Sequence, residues 1–265
     1  MEMLLVAQRC AGTLGTALAV AACHLFGPTE DTLPADSPSP TVPDRPIAPE
    51  DRAANALYRT AMRTKGRRII VSIEDRALWL MEGDKVLFKA PAAVGKGTDF
   101  EYNGKRYRFE TPRGQRRVQK KEANPIWTVP EWHYYEKAAA RGLEAVHLRP
   151  DDRVELSDGS VLAVQGDQVV FINRFGKELE WPPGGELVFD GKIFIPPLNT
   201  AQRRVPDALG PYKLDTGDGY LIHGTHEYNS DSIGQAVSHG CIRLRNSDLI
   251  QLYPLVKVGT PVYIY

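Results

Sequence analysis

The sequence predicts a mainly β fold with few short helices. Short runs rich in β-branched and aromatic residues occupy positions 68–73, 77–81 and 85–90, and polar turns separate them. Farther along, three more pairs of such runs flank turns of the Asp-Gly or Gly-Asp type, which accept positive φ at low cost. Helical spacing appears only in brief stretches, so hairpins rather than βαβ units are expected to dominate.

The individual elements follow from the same patterns. Apolar residues recur at helical spacing from Asp51 to Thr64 and predict a short helix before the first strand. Two further helices are predicted over 136–143, ending near Gly142, and over 247–256, behind Asn246 or Ser247 as a cap. The predicted hairpins join 154–156 to 161–164, 161–164 to 169–172, and 187–189 to 192–195, and residues 261–265 form a terminal strand.

Charge and hydropathy exclude several classes of protein. The chain of 265 residues carries 33 basic and 33 acidic side chains, so its zero net charge disfavours a dedicated nucleic-acid binder. No apolar run after the first 30 residues is long enough to span a bilayer. One local exception is the segment 105–121, with eight basic residues and one acid. It is interpreted as a solvated hairpin, a polyanion site or a surface that attracts substrate carboxylates.

The N-terminal residues have the pattern of a targeting signal rather than of a folded core. Residues 1–26 resemble an export signal, and Cys23 follows Val-Ala-Ala as in a bacterial lipobox. Cys23 is therefore a possible lipid anchor, with ordinary signal cleavage or an uncleaved anchor as alternatives. Residues 27–50 are rich in proline and predict a flexible tether. These features predict an exported, extracytoplasmic or periplasmic protein that contacts the membrane only through its N-terminus.

The segment 220–246 contains most of the side chains that could carry out a reaction. It holds three of the six histidines and, beyond the N-terminal region, the only cysteine. A cysteine nucleophile needs a nearby imidazole to take its proton, and a preceding glycine eases the approach of backbone N–H donors to an oxyanion. Cys241, Gly240 and His223, which ends an apolar run, meet these needs. From the residues alone, a metal site remains an alternative, built from His223, His226, His239 and Cys241, although their spacing matches no usual zinc pattern.

The stretch from His223 to Cys241 resembles the signature of the L,D-transpeptidase (YkuD-like) family, with His-Gly-Thr at 223–225 and Ser-His-Gly-Cys at 238–241. Other segments are similar too: 93–95, 111–114, 124–130, 209–210, 242–244 and 259–262. The resemblance implies a β-sandwich catalytic domain over 67–265, preceded by the short helix within 51–66. Residues 142–200 exceed the family's minimal domain and are expected to form an inserted β subdomain. It could cap the cleft, bind glycan strands, contact a partner or have no direct role.

The resemblance also implies a reaction on the peptide stems of peptidoglycan. Cys241 would attack the carbonyl joining the third residue of a tetrapeptide stem to its terminal D-Ala and carry the acyl group. His223 would serve as base and then as acid. The carbonyl of Gly224 would orient the His223 ring, so the side chain at position 224 is expected to be unimportant. Neither a cofactor nor a metal is required.

The remaining site residues are assigned by the same resemblance. The N–H groups of Gly240 and Cys241 are the expected oxyanion donors, with His239 as a further donor or a support of the loop. Ser238 is expected to brace the loop. Arg243 would pair with a carboxylate of the donor stem or form a structural ion pair. Trp127, together with Trp132, would line the donor channel or belong to the core.

Three interpretations of the protein's function stay open at this point. The acyl group could pass to an amine of a second stem or of an envelope protein, which is cell wall cross-linking or protein attachment. It could pass to water, which makes the protein an L,D-carboxypeptidase. The least favoured interpretation is a non-catalytic wall-binding lipoprotein.

Overall fold

A computed structural model of the chain describes residues 40–265. Within that range the helices are α1 (Arg52–Arg63), α2 (Glu131–Arg141) and α3 (Asn246–Leu252), with 3-10 helices at Ala201–Arg203, Glu227–Ser232 and Tyr253–Leu255. The strands in chain order are β1 (Arg67–Ser72), β2 (Ala77–Glu82), β3 (Lys85–Pro91), β4 (Val94–Gly95), β5 (Thr98–Tyr102), β6 (Lys105–Phe109), β7 (Gly114–Arg117), β8 (Lys120–Ala123), β9 (Trp127–Thr128), β10 (Glu144–His147), β11 (Arg153–Glu155), β12 (Val161–Gln165), β13 (Gln168–Ile172), β14 (Glu178–Glu180), β15 (Leu187–Phe189), β16 (Lys192–Ile195), β17 (Arg204–Val205), β18 (Tyr212–Asp215), β19 (Leu221–His223), β20 (Ala236–Ser238), β21 (Ile242–Arg243) and β22 (Pro261–Ile264).

Two sheets form the centre of the domain. One has the strand order β3-β2-β1-β22-β7, and the other has the order β21-β19-β18-β8. Apolar residues of both sheets meet in one buried cluster, which includes Ile69 and Leu80 from the first sheet and Leu214, Ile222 and Ile242 from the second. Packing of two sheets over a shared core is the sandwich arrangement. The prediction of a mainly β sandwich with few short helices is confirmed.

Helix α1 covers the outer face of the five-stranded sheet. Side chains alternate along β1, so Ile69 points into the shared core while Ile70 points to the other face, where Trp79 and Ala61 pack beside it. The carboxylate of Asp51 accepts the Ala54 N–H over 2.8 Å and caps the helix. The helix predicted in the 51–64 region is confirmed.

Residues 40–50 correct the expected tether. The indole N–H of Trp79 donates to the Pro43 carbonyl, and the Tyr265 hydroxyl donates to the Ile47 carbonyl, each over 3.0 Å. Pro46 is buried. This segment is therefore part of the folded domain, because side chains of the core donate hydrogen bonds to its backbone carbonyls. The export signal, Cys23 and the rest of the tether lie outside the described residues, and no helix within 40–265 has the length and apolarity to cross a bilayer.

Helix α2 begins at Glu131, five residues earlier than predicted. Pro130 precedes its first turn, and Gly142 ends it in the left-handed conformation at φ 64°. The first half of this helix is rich in aromatic residues, whose propensity favours a strand. In the structure, however, Tyr134 is buried with Ala138 in one apolar cluster against β16. Tertiary burial therefore decides the helix where local propensity does not.

Residues 142–200, predicted to be an insertion, form small sheets of their own. The order β11-β12-β13-β14 and the order β10-β16-β15 contain the three predicted hairpins, which are confirmed. A separate buried cluster holds these strands together and includes Leu162, Val169, Leu187 and Phe194. The other face of β16 packs on α2. The small sheets thus pack on α2.

Candidate active site

The four-stranded sheet β21-β19-β18-β8 separates an apolar face from a polar face. Ile242, Ile222 and Leu214 are direct cross-strand neighbours and are buried in the core. The residues adjacent to these three point to the opposite face of the sheet. There Arg243, His223 and Lys213, together with Glu122 of β8, form a row across the sheet. The core thus fixes which side chains face outward.

Cys241 lies on this polar face. It directly precedes β21 and is two residues from Arg243, so in extended chain its side chain points to the same side as that of Arg243 and His223. The thiol donates to the carbonyl oxygen of Gly219 over 3.9 Å, and the N–H of Leu221, the neighbour on β19, is directed at the sulfur. Parallel pairing of two short strands therefore puts His223 and Cys241, which are 18 residues apart in sequence, on the same face of the sheet.

The imidazole of His223 is held as a neutral base. Its Nδ1 lies 2.5 Å from the carbonyl oxygen of Gly224, and because a carbonyl only accepts, Nδ1 carries the proton and Nε2 keeps its lone pair. The side chain is buried, and this burial, followed by the charge of Arg243, lowers the pKa of His223 to about 3. Near neutral pH the imidazole is ready to accept a proton.

Cys241 is a neutral thiol in the same setting. Burial raises the pKa of the Cys241 thiol, and the Leu221 N–H and the Arg243 guanidinium oppose that rise only in part. A preformed thiolate–imidazolium pair would need a low thiol pKa and a high imidazole pKa, the opposite of this arrangement. These two pKa shifts favour a neutral thiol beside a neutral imidazole, with proton transfer only during attack on a carbonyl.

Position 224 tolerates no side chain, which corrects the expectation that its identity is unimportant. A Cβ at Gly224 would lie 2.2 Å from Oδ1 of Asn246, and one at Gly210 would lie 2.3 Å from the same atom. That amide accepts the Thr225 N–H and donates to the Thr225 carbonyl, each over 2.9 Å. Asn246 thus clamps the turn after His223 instead of capping α3, whose cap residue is Arg245.

Hydrogen bonds from two hydroxyl groups shape the loop before Cys241. Ser238 Oγ donates to the Cys241 carbonyl over 2.6 Å and accepts the Gly240 N–H over 3.1 Å. Thr111 Oγ1 donates to the Gly240 carbonyl over 2.9 Å and accepts the Gly95 N–H over 2.7 Å. The Gly240 amide is thus engaged, unlike the free oxyanion donor expected from the sequence. The Cys241 N–H has no hydrogen-bond partner among residues 40–265 and is the remaining candidate donor.

His239 faces helix α2. Its Nε2 lies 2.8 Å from a carboxylate oxygen of Glu136, and its ring stacks on Trp132 with centroids 4.3 Å apart. Lys96 donates to the other oxygen of Glu136 over 2.7 Å. Burial acts to raise the pKa of Glu136, but the hydrogen bonds from His239 and Lys96 outweigh it and lower the pKa to about 2. His239 supports the loop, and its ionised partner was missed because helix α2 is far away in sequence.

The other predicted residues occupy distinct places. Arg243 lies beside His223, and its backbone exchanges hydrogen bonds of 2.9 and 3.0 Å with Ala93. Trp127 packs in the apolar cluster of α2 and β16 and touches His133, with ring centroids 5.2 Å apart. It is Trp132, not Trp127, whose ring contacts the loop of the cysteine. Within 40–265 no group of three or more His, Cys, Asp or Glu side chains is placed to hold a metal ion.

Two curated relatives share part of the sequence. The probable L,D-transpeptidase ErfK/SrfK of Salmonella typhimurium is 34% identical over 109 residues, which are 35% of this chain and 35% of the relative. The probable L,D-transpeptidase YbiS of Escherichia coli K12 is 40% identical over 83 residues, 31% of this chain and 26% of the relative. The match thus spans between about a quarter and about a third of the length of these relatives.

Solved structures and a family model complete the comparison. The L,D-transpeptidase of Xylanimonas cellulosilytica superposes with a TM-score of 0.39 at 17% identity, covering 76% of this chain and 61% of that one. The catalytic domain of the E. faecium L,D-transpeptidase gives 0.39 at 17% identity, covering 77% and 99%. The family model of the L,D-transpeptidase catalytic domain (YkuD) matches residues 66–264. The chain therefore belongs to the L,D-transpeptidase family.

Proposed function

We propose that the protein is a peptidoglycan L,D-transpeptidase that acts through a thioester on Cys241. The observation that carries this proposal is the register of β19 and β21, which puts the neutral imidazole of His223 and the thiol of Cys241 on one polar face. Its donor is a tetrapeptide stem and its acceptor is an amine. Family membership supports the reaction class, and the site supports the roles of the residues.

The first half-reaction forms the acyl-enzyme. Nε2 of His223 takes the thiol proton while the sulfur attacks the carbonyl carbon, and the Cys241 N–H stabilises the oxyanion. The imidazolium then gives its proton to the departing nitrogen as the C–N bond breaks. D-Ala leaves and the stem remains as a thioester. The Gly224 carbonyl keeps the ring orientation through both transfers.

The second half-reaction repeats these steps in reverse. An acceptor amine attacks the thioester carbonyl and gives its proton to Nε2 of His223, and the sulfur leaves and is reprotonated. The new amide joins two stems, or a stem and a lysine of an envelope protein. Arg243, beside His223 on the polar face, is placed to attract a carboxylate of the donor stem.

The proposal includes a location outside the cytoplasm, where peptide stems are found. Residues 1–26 would direct export and Cys23 would carry the lipid anchor. Incorporation of a labelled fatty acid that is lost in Cys23→Ala would support the anchor. Incorporation that persists in this variant would exclude it.

Mass spectrometry of the intact protein tests the reaction. The purified chain is incubated with a disaccharide-tetrapeptide, with and without an amine acceptor, beside Cys241→Ala. We expect a Cys241-dependent acyl adduct, release of D-Ala and, with acceptor, a cross-linked product. Release of D-Ala without a cross-linked product would identify a carboxypeptidase. Wall binding without turnover in the unmodified protein would identify a scaffold.

A further inference from the structure

We propose that a cavity next to the turn that contacts the Cys241 thiol binds a carboxylate group of the stem peptide. The cavity measures about 510 Å³, and its wall includes Arg113, Arg116, Arg117, Gln119, Thr216 and Asp218. It lies between the edge strand β7 and the turn that joins β18 to β19. The inference rests on the proposed function, because the stem peptide supplies the ligand.

Arg116 forms the fixed wall of this cavity. Its Nη1 donates to the Gly217 carbonyl over 3.2 Å and to a carboxylate oxygen of Asp218 over 3.0 Å. Its guanidinium also lies over the ring of Tyr220, 4.9 Å from the centroid. The turn itself has positive φ at three consecutive residues, 217–219. Arg116 therefore holds an unusual backbone turn in one conformation.

The same turn borders the reacting sulfur. The Gly219 carbonyl accepts from the Cys241 thiol over 3.9 Å, and Gly219 directly follows a residue of the cavity wall. The Tyr220 ring packs against Gly240, where a Cβ would come within 2.9 Å of it. A stem bound at Cys241 can thus extend over the turn and reach the cavity.

The charge of the cavity is incompletely neutralised. Asp218 is the one acid in its wall and is paired with Arg116. Arg117 donates to the neutral Gly259 carbonyl over 3.1 Å. Arg113 is exposed and makes no ion pair or hydrogen bond with residues 40–265. Two guanidinium groups without an acid partner favour an anion, and a planar carboxylate matches their paired N–H donors.

This assignment explains part of the basic run noted in the sequence. The three cations nearer its start pair with acids outside the cavity: Lys105 with Glu131 of α2, Arg106 with Asp99, and Arg108 with Asp99 and Glu110. Those at 113, 116 and 117 instead meet at the cavity. Residues 105–117 thus divide into a charge-balanced hairpin and a carboxylate-binding strand.

The test compares substrates with and without each carboxylate. The full chain and Arg113→Ala are assayed on three donor stems: the unmodified one, one amidated at its C-terminal carboxylate, and one amidated at an internal carboxylate. We expect Arg113→Ala to raise KM for the unmodified stem about tenfold, the size of a lost charge-assisted hydrogen bond, while kcat changes less than about twofold. Arg113→Lys should recover part of the affinity.

The pattern across the stems identifies the ligand. One amidated stem should raise the KM of the unmodified protein by a similar factor and cancel the effect of Arg113→Ala, and that stem marks which carboxylate is bound. Arg108→Ala, in the charge-balanced hairpin, is the matched control and should leave KM unchanged. A tenfold effect of Arg113→Ala that persists on both amidated stems, or no effect on any stem, would overturn the proposal.

A binding measurement separates this inference from the proposed reaction. Calorimetric titration of Cys241→Ala with the unmodified stem, with and without Arg113→Ala added, needs no turnover. Weaker binding only when Arg113 is replaced supports the subsite even if the unmodified protein shows no transfer. Equal binding by both proteins overturns the subsite, and turnover by the unmodified protein would still support the proposed function.

Discussion

At the scale of single residues, the site depends on a few polar side chains that each join two loops. Thr111 links Gly95 to Gly240, and Asn246 links both backbone groups of Thr225. None of these side chains is a candidate for the chemistry. Each satisfies buried backbone groups that would otherwise be costly, and so holds the turns beside His223 and Cys241 in place.

Replacing Thr111 with valine should destabilise the loop that precedes Cys241. The change keeps the shape of the side chain but leaves the Gly95 N–H and the Gly240 carbonyl without their partner, which costs about 2–4 kcal/mol of folding free energy. Turnover should fall along with stability. Urea unfolding and steady-state kinetics measure both effects. Thr111→Ser, which keeps the hydroxyl, should retain most of each, and equal losses in the two variants would contradict this role.

Adding a methyl group at Gly224 should also disrupt the site. In Gly224→Ala the new Cβ would lie 2.2 Å from Asn246 Oδ1, so the amide must move away from Thr225. Overpacking of this kind costs about 1–3 kcal/mol, and displacement of the His223 turn should lower kcat about 100-fold. Gly66→Ala is the control, since its Cβ would have no atom within 4 Å. Unchanged kcat in Gly224→Ala would show that the clamp is dispensable.

At the scale of secondary structure elements, α2 contacts both the small sheets of residues 142–200 and the loop that precedes Cys241. One side of the helix buries Tyr134 and Ala138 against β16, and another holds His239 through Glu136 and Trp132. The helix therefore contacts both residues 142–200 and the loop. Strand β7 contacts the 216–219 turn in a similar way, because Arg116 donates hydrogen bonds to the Gly217 carbonyl and the Asp218 carboxylate.

Removing the charge of Glu136 should loosen the loop without unfolding the domain. In Glu136→Gln we expect kcat/KM to fall about tenfold, because His239 and Lys96 lose their shared carboxylate. The NMR signals of the His239 ring should shift, which a purely structural effect elsewhere would not cause. Glu131→Gln, on the same helix, is the control. An unchanged His239 signal with normal kinetics would contradict the assignment.

At the scale of the whole molecule, the two sheets place polar chemistry directly over a closed apolar core. Ile222 and Ile242 anchor the same strands that present His223 and Arg243. This arrangement keeps His223 out of water and uncharged. It also makes the stability of the protein sensitive to acid, since a buried neutral histidine resists protonation.

Stability should decline as the pH falls from about 6.5 towards 3. Burial lowers the pKa of both His133 and His223 to about 3 from the ordinary 6.5, so the unfolded chain binds these protons first. Each histidine contributes a slope of up to about 1.4 kcal/mol per pH unit within that window. Urea unfolding as a function of pH measures the slope. His133→Phe should reduce it, and an identical slope in that variant would rule out the contribution of His133.

The sequence by itself determined the β class, the hairpins of residues 142–200 and helix α1, since turn residues and side-chain alternation are local signals. Through its family motif it also predicted that His223 acts with Cys241. Only the tertiary structure decided the early start of α2, the docking of residues 40–50 and the contact of His239 with Glu136. It also decided the clamp of Asn246 and the separation of the basic run into two parts. Each of these depends on burial and hydrogen bonds between segments far apart in the chain, which no local pattern encodes.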